Sequence, residues 1–150
     1  MRLKSQTYAL TAITHQRRHI FQRDAIAELF IAKLFEYRDS GKFQLHDFFL
    51  APNHVFILLT PATYIAIECC AQLIKGKFSL AVCKEFEGFE GKVWQRTNYP
   101  HHITDADDLR NQLLYIHNNP IYKHLEAYPH IHASAAYASR LDPSPHNLAS

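Results

Sequence analysis

Residues 43–60 read Phe-Gln-Leu-His-Asp-Phe-Phe-Leu-Ala-Pro-Asn-His-Val-Phe-Ile-Leu-Leu-Thr. Two runs rich in β-branched and aromatic residues, Phe43 to Leu50 and His54 to Thr60, flank Ala51-Pro52-Asn53, whose proline and asparagine suit a tight turn. The stretch predicts an antiparallel hairpin. Side chains alternate along a strand, so His54, Phe56, Leu58 and Thr60 share one face of the second run, and Val55, Ile57 and Leu59 share the other. On the first run, the turn length decides whether Asp47 or His46 faces the same side as His54.

Upstream of the hairpin, Tyr8 to Thr14 reads as a strand and the basic stretch Gln16 to Arg23 as a loop. From Asp24, a favourable N-cap, Ile26, Leu29, Phe30, Leu34 and Tyr37 recur at helical spacing until Ser40-Gly41. Downstream, Ile67, Cys70, Ala71 and Ile74 predict a helix within Tyr64 to Cys83, Gly88 and Gly91 a turn, and Val93-Trp94-Gln95 a short strand. Thr104 to Asp107 resembles a capping box opening a last helix that Pro120 ends. Strand, helix, hairpin, helix, strand, helix is the order of an α+β ferredoxin-like sandwich, an antiparallel sheet with helices on one face and the other face free for a site. Residues 1–127 form this domain. Residues 128–150, without period and with several prolines, are expected to be an irregular tail.

Composition narrows the function. The chain has 150 residues, 47% hydrophobic, with 16 Lys and Arg against 14 Asp and Glu, and a net charge of only +2. Binding driven by bulk positive charge is thereby excluded, and a nucleic-acid partner must be held by local contacts. The three cysteines, Cys69, Cys70 and Cys83, make neither a disulfide framework nor a zinc knuckle, which fits a reducing cytoplasm. The start, Met1 to Gln6, has no apolar run of a signal peptide, and Pro61 and Glu68 interrupt the only long apolar stretch, so no membrane span is expected.

In the last helix, Leu109, Leu113 and Ile116 form an apolar stripe, while Asp108, Gln112, Tyr115 and Asn119 line a polar edge beside it. Among the eleven histidines, His101, His102, His117, His124, His130, His132 and His146 show no shared ligand spacing and read as surface or loop residues. Arg17, Arg18, Arg23, Lys75, Lys77, Lys84, Lys92 and Arg96 are candidate phosphate contacts, each with solvated surface charge as its simpler reading. Phe89, Trp94 and Tyr99 could stack on unpaired bases, although core packing suits Trp94 equally well.

Ala51-Pro52-Asn53-His54-Val55-Phe56 resembles the Met-Pro-Asn-His-hydrophobic-His motif of the HUH single-strand DNA transposases, and Tyr115-Ile116-His117-Asn118-Asn119-Pro120 resembles their tyrosine helix. The REP-associated tyrosine transposases are the group it resembles most. Supporting stretches are Arg17 to Phe21, Gln72 to Ser79 and Val93 to Gln95, in matching order across nearly the whole chain. The resemblance implies a bacterial cytoplasmic protein that acts on single-stranded DNA hairpins, as monomer or homodimer. It implies Tyr115 as nucleophile, with His54 and Asn119 as ligands of Mg²⁺ or Mn²⁺. The ion would polarise the scissile phosphate while the phenolate attacks, leaving a 5′-phosphotyrosine and a free 3′-OH.

One position departs from the pattern. Phe56 stands where the family has its second histidine, and a phenyl ring ligates nothing. Asp47 or His46 is the candidate substitute. The expected function is therefore a DNA transposase with impaired cleavage, or a hairpin-binding protein that has lost it; an unrelated ferredoxin-like binding domain is the third reading.

Overall fold

The computed structural model of the chain describes residues 5–89, 91–118 and 132–143. The hairpin forms as its sequence predicts. Strand β2, Phe43–Ala51, pairs antiparallel with β3, His54–Pro61, and Ala51 faces His54 across the Pro52-Asn53 turn. Strand β1, Thr7–Ile13, runs antiparallel on the other side of β3, and β4, Tyr99–Ile103, pairs with β1. The two-residue β5, His132–Ala133, adds to the free edge of β2, giving the order β4-β1-β3-β2-β5. The four longer strands thus have the 4-1-3-2 order of the ferredoxin-like sandwich.

Three helices complete the fold: α1, Asp24–Asp39; α2, Ile67–Glu85; and α3, Ala106–Asn118. Arg23, not Asp24, occupies the N-cap of α1, and Asp24 instead places its carboxylate in the first turn, where the helix dipole favours it. Gly41, at φ 82°, takes the left-handed conformation that stops α1. Helices α1 and α2 lie on one sheet face, where Ile26, Phe30 and Leu34 meet Cys70, Ile74 and Phe78 above Leu10, Val55, Ile57 and Leu59. Helix α3 lies against the opposite face, with Leu109 and Ile116 packed on Ala9, Phe49, Phe56 and Leu58. The face expected to be free is therefore covered by the tyrosine-bearing helix. Burial on both sides explains why β2 and β3 read as nearly continuous apolar runs.

The fourth predicted strand is displaced. Val93-Trp94-Gln95 makes only an isolated bridge from Trp94 to Thr14, and the strand itself comes five residues later. Pro100 within β4 is tolerated because an edge strand needs hydrogen bonds on one side only.

The described part of the tail, residues 132–143, docks by specific contacts. Asp142 receives two hydrogen bonds from the Arg38 guanidinium, 3.1 Å from Nε and 2.8 Å from Nη2, and a third, 2.8 Å, from the Leu45 amide. Tyr137 packs its ring against Phe35 and Phe48, and Arg140 lies over Phe35 at 4.0 Å. Burial alone raises the Asp142 carboxyl, but the Arg38 and Leu45 donors outweigh it and hold the group below its usual range. Its contribution is thus complete at neutral pH and is lost as pH falls through the folded-state value. Asp142→Ala leaves the buried Leu45 amide and the Arg38 guanidinium without their acceptor, and urea titration is expected to show a loss of about 2 kcal/mol. The variant's stability should also fall less steeply on acidification.

Candidate functional site

The turn between β2 and β3 is pinned from outside the hairpin. The Thr14 amide donates to the Asn53 carbonyl at 3.0 Å, and the Phe21 amide donates to the Pro52 carbonyl at 3.1 Å. This fixes where β3 begins and so where His54 stands. The His54 Nδ1 lies 2.9 Å from Asn53 Oδ1, an atom that only accepts, so Nδ1 carries the proton and Nε2 keeps its lone pair. Burial, reinforced by the charge of Arg17, lowers the His54 pKa and keeps the ring neutral at pH 7.

Two residues along the same strand face, Phe56 is 5% exposed within the cluster beneath α3. The Tyr115 ring packs on it with centroids 5.3 Å apart, while Tyr115 itself remains 50% exposed. The Phe49 ring, on β2, approaches His54 at 6.4 Å. The structure therefore brings His54, Phe56 and Tyr115 of one chain to one sheet face. Asn119, the remaining expected ligand, lies outside the described residues.

At the amino end of α3, the Asp105 side chain accepts from the Asp108 amide at 2.8 Å, so Asp105 caps the helix. Asp108 in turn meets Nε2 of His101, on β4, through both carboxylate oxygens at 2.9 Å, tying α3 to the sheet. His101 and His102, expected in a loop or on the surface, lie on strand β4 and are exposed.

The register places the substitute ligands elsewhere. A β-bulge at His46 shifts the pairing so that Leu45 faces Leu59 and Asp47 faces Leu58. Asp47 consequently shares the His54 face, and His46 also reaches it, with Nε2 2.8 Å from the Thr60 hydroxyl, which meets Thr7 Oγ1 at 2.7 Å. Yet Asp47 lies four residues along the strand from His54, about 13 Å, and His46 about 20 Å at the strand rise. Neither reaches the His54 ring. Among the described residues, no three His, Cys, Asp or Glu side chains converge on a point that could hold a metal ion. Among the described residues, Phe56 offers no ligand atom beside His54, whereas a divalent cation needs several oxygen or nitrogen ligands.

The candidate phosphate contacts divide by what they already hold. Arg18 donates to the carbonyls of Gly88 at 3.4 Å and Lys92 at 2.9 Å and lies over Phe89, fastening the 88–92 loop. Lys75 donates to the Gln95 carbonyl and Asn98 Oδ1, both at 2.8 Å, and burial lowers its pKa. Lys77 pairs with Glu36 at 3.4 Å, and Arg23 covers the Phe86 ring. Arg17 and Arg96 are exposed. Trp94 is only 7% exposed, packed among Phe21, Phe30 and Phe78, and its indole donates to the Lys75 carbonyl. Trp94 and Phe89 are thus core residues and leave Tyr99, 48% exposed, as the accessible ring of the three.

The fold thus sets a Pro-Asn-His turn and a tyrosine of the covering helix on one face of a ferredoxin-like sheet. A family model described as Transposase IS200 like matches residues 2–119, and the chain belongs to that family. Its fold is similar to that of a REP-associated tyrosine transposase solved with a REP hairpin, at a TM-score of 0.71 and 18% identity, covering 100% of this chain and 94% of that one. It is also similar to the crystal structure of a protein assigned as a transposase from Deinococcus radiodurans R1, at a TM-score of 0.58 and 20% identity, covering 77% and 92%. No curated protein matches significantly. Among the described residues, no helix is long and apolar enough to cross a membrane.

Proposed function

We propose that this chain recognises single-stranded DNA folded into a hairpin of the REP type, through the face that carries His54 and Tyr115, and that Phe56 impairs metal-assisted strand cleavage there. The observation that carries this reading is the Phe56 ring, buried under Tyr115 where a second ligand would stand. Membership of the transposase family and the hairpin bound by its structural neighbour support the choice of DNA partner. In this reading residues 1–127 are the recognition domain and residues 128–150 a tail.

A second reading keeps cleavage and rejoining through a 5′-phosphotyrosine, as in DNA transposition, with His54 and Asn119 as reduced ligands of Mg²⁺ or Mn²⁺. It is favoured by the half-exposed Tyr115 and by His54, whose Nε2 makes no hydrogen bond among the described residues. Titration of the protein, as monomer or homodimer, against a labelled hairpin in EDTA tests the first reading. Binding that an unstructured strand of equal length fails to compete supports it; equal competition would remove hairpin recognition.

A further inference from the structure

The loop after β1 carries a cation that no described residue binds. Gln16 and Arg17 both adopt left-handed backbone, at φ 56° and 53°. Residues other than glycine, asparagine and aspartate seldom do so, and pairs of them are rarer still. The conformation is held from both sides. The His15 amide donates to the Val93 carbonyl at 2.8 Å, the Arg17 amide to the Thr14 carbonyl at 3.0 Å, and the Thr14 hydroxyl to the Arg18 carbonyl at 2.8 Å. While the backbone is fixed in this way, the Arg17 side chain is exposed and has no hydrogen bond or ion pair among the described residues.

Strand register sets where that side chain stands. Ile13 faces His54, Thr14 binds the Asn53 carbonyl, and Arg17 follows three residues later. The amide hydrogen bonds from Thr14 to the Asn53 carbonyl and from Arg17 to the Thr14 carbonyl keep the Arg17 backbone beside the turn that begins the site. The neighbouring cations Arg18, Lys75 and Lys77 are bound to carbonyls or to Glu36. A strained loop that presents at a site a cation without a hydrogen bond or ion pair among the described residues is better explained by a ligand than by stability, since strain persists where function requires it.

We propose that Arg17 binds a phosphodiester of the DNA strand at the His54 end of the Tyr115 face. This rests on the hairpin-binding reading and names the contact that positions the strand. A guanidinium suits the task because its planar donors pair with two phosphate oxygens at once. The phosphate contact fixes register on the strand and carries no sequence information.

Arg17→Asn separates this role from folding, because asparagine accepts left-handed φ and carries no charge. The variant should melt at or above the wild-type temperature and bind the hairpin about 10-fold more weakly. Its dependence of log K on log salt should be shallower by about 0.7 to 0.9, the value for one lost phosphate contact. Hairpins with a single neutral methylphosphonate should reveal one linkage at which wild type loses affinity and Arg17→Asn does not, and Arg17→Lys should recover part of the loss. Wild-type affinity, salt slope and linkage pattern in Arg17→Asn would overturn the assignment alone. A wild-type protein that binds no hairpin would overturn both it and the reading on which it rests.

Discussion

Phe56→His is expected to form, with Mn²⁺ and a single-stranded hairpin, a covalent DNA adduct that survives denaturing electrophoresis and that the wild-type protein does not form. The substitution sets a second imidazole two residues from His54 on the same strand face, directly under Tyr115. Loss of a partner outside the ligand set commonly costs about 10–100-fold in metal affinity, so regaining a ligand should raise adduct yield by at least roughly 100-fold. Tyr115→Phe in the same background should abolish the adduct, since no phenolic oxygen remains to attack phosphorus. The exchange also removes apolar burial and the ring contact beneath Tyr115, at about 1–3 kcal/mol, so the variant's unfolding curve is the necessary companion measurement. Equal adduct from wild type and variant would mean that His54 acts with ligands other than residue 56.

Trp94→Ala should be the most destabilising single change, at about 3–5 kcal/mol, the range for truncating a large buried aromatic. The indole closes one end of the core against three phenyl rings and caps the Lys75 carbonyl, so its removal opens a cavity and strands a hydrogen-bond acceptor. That loss is a large part of the 5–15 kcal/mol by which typical domains are stable. Trp94→Phe keeps most of the volume and should retain hairpin binding close to wild type. A Trp94→Phe protein that is fully stable yet binds no DNA would return Trp94 to the interface as a base-stacking ring.

The hairpin was legible because its turn chemistry, strand composition and alternation agree, and the structure places Ala51 opposite His54 as they require. The apolar stripe of α3 was equally clear, since Leu109 and Ile116 are buried where the period puts them. Periodicity says which helix face is buried and not which sheet face it meets. The side taken by α3 depends on the two-residue connection Thr104-Asp105 from β4 and on a strand that Pro100 disguises. The bulge at His46 had no local signature either: one extra residue in β2 turns both His46 and Asp47 toward the His54 face, where sequence offered one or the other. The long-range partners of Arg18, Lys75 and Asp142 lie 20 or more residues away, so charge alone could not separate fold-holding cations from free ones. Arg17 was among the candidates from the start, but its left-handed backbone became visible only in three dimensions.

Hairpin affinity of the wild-type protein, measured in EDTA and again in Mn²⁺, tests the central claim most directly. If Phe56 has removed the divalent site, the two dissociation constants agree once ionic strength is matched, and no adduct forms in either. Affinity that rises with Mn²⁺, or an adduct that appears with it, and that His54→Ala abolishes, would contradict the claim.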